Sequence, residues 1–163
     1  MKGLFIFLYM LLSSSVLAEA SLPSGCQAMA VKGETVTLKL AQKSLIFIHN
    51  LTQADLWITH PESNPSASAG WSSRLQANHW SALVVDKSSF NLSCIESKPG
   101  HEQVIPCEGA IAVCQAKKVK MPEDGEATFW VGEDQLLSTL TTSLGSRGFV
   151  LPTETNDNNN GER

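Results

Sequence analysis

The chain of 163 residues carries four histidines, four cysteines and four methionines, the side-chain types that bind soft metal ions. A copper site in a β-sandwich takes a thiolate and two imidazoles, usually with a thioether. Most of those ligands come from one loop, with a His and then a Met close behind the Cys. His49, His60, His79, His101, Met29 and Met121 supply the types without that order. Cys94 has His101 behind it but no Met close after, and no His follows Cys114. No C-x-x-C pair occurs, which removes a zinc knuckle. The expectation is no resident metal and no cofactor, with His49, inside an apolar stretch, as a hydrogen-bonded sheet residue.

Catalytic patterns are equally lacking. The chain has no G-x-S-x-G, no H-E-x-x-H and no Cys–His pair at a recognised spacing. The strand-rich region has no paired carboxylates for glycoside hydrolysis. The reading is of a protein that is not an enzyme. Four tryptophans, Trp57, Trp71, Trp80 and Trp130, are many for one small domain, and packing accounts for most of them. Trp71 and Trp80 flank the turn at residues 74–79, behind the small-residue loop 66–70. Aromatic rings beside a polar loop are how a sandwich presents a contact surface. Trp71, Arg74, His79 and Trp80 are therefore the candidate binding residues, for a protein partner or for a carbohydrate.

The elements that must position these residues read as short strands. Residues 34–40 alternate, with Val36, Leu38 and Leu40 on one side. Residues 44–51 are apolar on both faces, as a central strand is. Residues 55–60, 71–76, 80–86, 90–96, 104–105, 110–115 and 127–131 continue the pattern, with turn residues between them. Leu136, Leu137, Leu140 and Leu144 predict one helix that starts near Glu133 and Asp134 and stops at Gly145. Residues 21–33 read as an irregular lead-in, and residues 149–151 as a short returning edge. Short strands at this spacing predict a mainly β fold, an antiparallel β-sandwich of immunoglobulin-like or cupredoxin-like type with one short C-terminal helix.

The first 20 residues read as a signal peptide. Lys2 precedes an apolar run at 4–12 that is too short to span a bilayer, and Ala18-Glu19-Ala20 is a cleavage pattern. Residues 21–151 then form one domain, and residues 152–163 a polar, disordered tail. Loss of Lys2 and Glu19 leaves the net charge at −4, with no basic stripe for nucleic acid and no membrane span after cleavage. In an exported chain, Cys26, Cys94, Cys107 and Cys114 imply two disulfides. A hairpin centred between Gly100 and His101 would set Cys94 opposite Cys107, leaving Cys26 to join Cys114. Asn50-Leu51-Thr52 and Asn91-Leu92-Ser93 match the glycosylation acceptor pattern, although both asparagines also suit strand ends.

Residues 46–61 (IFIHNLTQADLWITHP), 67–83 (ASAGWSSRLQANHWSAL) and 92–114 (LSCIESKPGHEQVIPCEGAIAVC) resemble the enhanced-entry protein B family of intracellular Gram-negative bacteria. The resemblance covers roughly half the chain. It implies a periplasmic or secreted, virulence-associated protein linked to host-cell entry. It also implies another envelope protein as partner, a Sel1-repeat protein among the candidates, and no catalytic residue. In a bacterial periplasm Asn50 and Asn91 would stay bare.

Overall fold

A computed structural model describes residues 22–60, 72–86, 88–123 and 130–152. The expected leader, the small-residue loop with Trp71, and residues 153–163 of the expected polar tail lie outside the described residues.

Among the described residues the chain forms ten strands. They are β1 (Cys26–Met29), β2 (Thr35–Lys39), β3 (Ser44–Asn50), β4 (Asp55–Thr59), β5 (Ser72–Leu75), β6 (Trp80–Val85), β7 (Ser89–Lys98), β8 (His101–Ile105), β9 (Ile111–Ala116) and β10 (Trp130–Gln135). One sheet has the order β1-β9-β3-β6-β10, the other β2-β7-β4-β5, with β8 also paired to β7. Every ladder is antiparallel. The predicted antiparallel β-sandwich, its C-terminal helix and both disulfides are present.

Alternation decides which side chains meet between the sheets. Val36, Leu38, Leu56, Ile58, Leu75, Phe90, Leu92 and Cys94 from one sheet pack on Ile46, Ile48, Leu83, Val85 and Val113 from the other. The first sheet is also covered on its far side. Leu45, Phe47, Trp80, Ala82, Val84 and Cys114 pack there against Leu140 and Leu144 of the helix α1 (Leu137–Ser146) and against Phe149. The molecule is thus three layers: second sheet, first sheet, helix. This is why β3 and β6 are buried along their whole length.

Cys26–Cys114 joins β1 to β9, and Cys94–Cys107 ties β7 to the segment after β8. The expected pairing holds, but the hairpin register does not. Lys98 faces His101 and Cys94 faces Ile105, so the turn is centred on Pro99–Gly100. Proline's locked φ followed by Gly100 at φ +74° is the type II pattern, and it sets the centre. Cys107 reaches Cys94 because the chain leaves the ladder at Pro106, which has no N–H to continue it. It then folds inward, and the Cys107 carbonyl accepts from the N–H groups of Ala110 and Ile111.

Other expectations change. Residues 26–29 are a strand, because β9 offers them an edge and Cys26 holds them there. The two-residue strand at 104–105 begins at His101. Glu133 and Asp134 belong to β10, not to the first turn of a helix, because Gly132 and Gln135 pair with Ala82 and Trp80. Leu136 is then the N-cap of α1 and 55% exposed, off the buried face. Gly145 lies inside α1, and the chain leaves the helix through Gly148 at φ +87°. Val150 does return as an edge contact, exchanging both backbone bonds with Lys120. Among the described residues no helix is long and apolar enough to cross a membrane.

Candidate functional site

The solvent face of the second sheet follows from its registers. Trp57 of β4 lies opposite Arg74 of β5 on one side and Ile95 of β7 on the other, and Ile95 lies opposite Val104 of β8. Leu56, Ile58, Leu75 and Cys94 are buried between the sheets, so alternation turns Trp57, Arg74 and Ile95 outward. The result is a continuous row, Arg74–Trp57–Ile95–Val104, across a face that no described element covers. Trp57 and Ile95 are half-buried by their neighbours, and Val104 is 64% exposed.

Polar rows border it. On one side stand Ser72, Thr59, Ser93 and Thr35 in register. On the other stand Asp55, Ser97 and Glu102. That second border opens into a groove of about 630 Å³ lined by Asp55, Arg74, Ser97, Lys98, Pro99, Gly100, His101 and Glu102. Arg74 forms an ion pair with Asp55, with Nε at 3.1 Å from Oδ2. The Asp55 hydrogen bond and charge, with a smaller contribution from Asp134, hold the guanidinium above its ordinary pKa. Lys98 pairs with Glu96 at 2.7 Å. An apolar row with charges of both signs at its rim suits a peptide or protein surface better than a purely anionic or cationic ligand.

A second cluster lies where β5 and β10 meet. Asp134 has φ +51°, a left-handed conformation that most residues avoid. Its carboxylate accepts from the Gln76 N–H at 2.7 Å, from Gln76 Nε2 at 2.7 Å and from His79 Nδ1 at 3.0 Å. Its own N–H donates to Ser81 Oγ at 3.0 Å. Burial pushes the Asp134 carboxyl up, but the bonds from Gln76 and His79 outweigh it and hold the group below its ordinary value. A carboxylate only accepts, so His79 carries its proton on Nδ1. Asp134 thereby fastens the β5–β6 turn to the bulge of β10 and closes the seam between the sheets.

Of the sequence candidates, Arg74 pairs with Asp55 and His79 bonds Asp134. Trp80 does not join them at the surface. It is 4% exposed and stacked on His49, with ring centroids 4.1 Å apart and planes 4° from parallel. Alternation from Ser81 turns it under the helix layer, so an exposed patch cannot include it. Trp71 lies outside the described residues. His49 Nε2 donates to Asn78 Oδ1 at 3.0 Å, while its Nδ1 is buried without a hydrogen bond. Desolvation lowers the His49 pKa, partly offset by the Asn78 bonds. His60 Nδ1 donates to the Asn91 carbonyl at 2.7 Å, and its ring stacks on Phe90. His101 lines the groove. Among the described residues no group of three or more His, Cys, Asp or Glu side chains is placed to hold a metal ion.

Asn50 is fully buried, and its amide is committed to the fold. It donates to the carbonyls of Ala54 and Leu75 and accepts from the Thr52 N–H and hydroxyl. Trp57, Ile95, Val104 and Asp134 are the residues that sequence reasoning missed. Trp57 was legible: in Asp-Leu-Trp-Ile-Thr its neighbours on the same face, Asp55 and Thr59, are polar, which marks that face as the wet one.

Comparison with protein-family models, with curated proteins and with solved structures finds no significant match for this chain.

Proposed function

We propose that this protein is an exported, disulfide-held binding module of the bacterial envelope that supports host-cell entry or intracellular survival through protein–protein contacts. The contact surface is the open face of the second sheet, not the turn around Trp80. One observation carries this reading: the row Arg74–Trp57–Ile95–Val104, an aromatic and aliphatic strip facing water and ended by a guanidinium. Tryptophan and arginine are the side chains that most often dominate interface energies. Two disulfides suit an oxidising compartment, and the resemblance to the enhanced-entry protein B family supports the periplasmic or secreted setting.

The test is capture from an envelope extract with the disulfide-bonded protein and its Trp57→Ala and Arg74→Glu variants, with circular dichroism confirming that each variant is folded. The expected result is a partner retained by the parent protein and lost by both variants. Identical capture by all three proteins overturns the assignment of this face. The groove beside Trp57, with Asp55 and Arg74 on its wall, also favours a carbohydrate reading. Titration of the protein and its Trp57→Phe variant with soluble muropeptides, followed by tryptophan fluorescence and by amide shifts of residues 97–102, separates the two.

A further inference from the structure

The outer edge of β8 carries unused pairing capacity. Among the described residues β8 forms a ladder with β7 alone. In a two-residue hairpin the closing pair, here Lys98–His101, exchanges both backbone bonds, and the antiparallel pattern then alternates. Gln103 and Ile105 therefore bond to β7, while the N–H and C=O groups of Glu102 and Val104 point away from it. Among the described residues no backbone bond outside the ladders engages either of them. Exposed edges are usually blunted by lysine, proline or a bulge. Residues 102–105 contain neither residue, carry one charge at Glu102 and keep unbroken register with β7.

We infer that this edge pairs with the same edge of a second copy of the chain, antiparallel about a twofold axis at Gln103. The strand's own residues select that register. Centred on Gln103, each Glu102 faces Val104 of the second copy, and the outward-pointing groups of both residues bond each other. His101 faces Ile105, and no like charges meet. Centring on Glu102 sets two carboxylates directly opposite, which is destabilising. Centring on Val104 sets Glu102 against Pro106, which has no N–H to give. An isologous contact of this kind closes after two copies.

The pairing joins the two second sheets into one continuous sheet. It runs each row Arg74–Trp57–Ile95–Val104 into Glu102–Ser97–Asp55 of the other copy. Five residues make a short ladder, below the burial of a stable dimer, so the association is weak and concentration-dependent. The inference does not depend on the partner reading, which is tested by capture with the Trp57 and Arg74 variants.

The experiment is sedimentation velocity of the full, disulfide-bonded protein from about 10 µM to about 1 mM, a range that brackets weak association. The parent protein is expected to shift toward dimer as concentration rises. Val104→Glu places a carboxylate opposite Glu102 and should raise the dissociation constant about tenfold or more. Val104→Lys is as polar but places an ammonium opposite Glu102. It should keep association within about threefold of the parent and make it salt-sensitive. Val104→Pro removes an outward N–H without touching the β7 ladder and should leave the protein monomeric. A parent protein that stays monomeric throughout overturns the inference. So do Glu and Lys variants that weaken association equally, or a Pro variant that dimerises like the parent.

Discussion

Asp134 shows how one residue can hold a seam. It keeps a left-handed backbone while its carboxylate accepts from Gln76 and His79. Asp134→Ala should cost about 3 kcal/mol, from lost charge-assisted bonds and a side chain less tolerant of that conformation. Asp134→Asn, which keeps an acceptor, should cost less; urea denaturation of both variants checks the order. The lowered carboxyl pKa adds an acid dependence. The unfolded chain takes up the Asp134 proton first, so stability is full above the ordinary carboxylate range and falls as pH drops through the folded-state value. That loss should be absent from Asp134→Asn. His49 acts in a higher window. Its pKa is lowered by burial, so the unfolded chain protonates first, near pH 6.5. Stability should be full above that pH and decline below it, and His49→Gln should flatten the decline. Urea midpoints at pH 8 and pH 5.5 measure it.

At the scale of elements, α1 can lie on the first sheet because β10 offers Gly132. A Cβ there would stand 2.2 Å from Leu140 Cδ1, and Leu140 is fully buried. Gly132→Ala should therefore destabilise by about 1–3 kcal/mol through overpacking, despite alanine's lower conformational entropy. Gly132→Ala with Leu140→Ala should lose less stability than the sum of the two single changes, because Leu140→Ala vacates the volume that the new Cβ needs, although the loss of buried apolar area remains. Thermal unfolding of the single and double variants checks this. The same element shows why the helix start was misread. Two acids before a leucine run look like a helix N-terminus, but pairing with β6 claims Glu133 and Asp134 first.

For the whole molecule, the two disulfides differ in reach. Cys26–Cys114 spans 88 positions and Cys94–Cys107 spans 13. Chain-entropy reasoning gives the longer loop the larger effect, by about 1–2 kcal/mol. Cys26→Ala/Cys114→Ala should thus lower stability more than Cys94→Ala/Cys107→Ala, as measured by guanidinium denaturation. Hydrogen exchange should show β1 losing protection in the first variant, because its four residues are only partly buried and lie at a sheet edge. The layered build also separates duties. The first sheet is covered on both faces and serves as scaffold, whereas among the described residues no element covers the second sheet's outer face or pairs with the outer edge of β8.

What the sequence determined by itself was set by local chemistry and spacing. Alternation at residues 34–40 and 55–60 marked strands, the two-sided apolar run at 44–51 marked the central strand, and an even count of four cysteines, two of them flanking one hairpin, implied two disulfides. The tertiary structure decided what depends on partners distant in the chain. Trp80 and Trp57 have the same chemistry, and each sits in a strand. Trp80 is buried because a helix more than fifty residues later covers its face, whereas Trp57 meets water because no described element lies over the second sheet. Asp134 reads as a helix starter until Gln76 and His79 reach it from 58 and 55 positions away. Strand pattern is a short-range property. Which face stays open, and which carboxylate closes a seam, is settled only when layers stack.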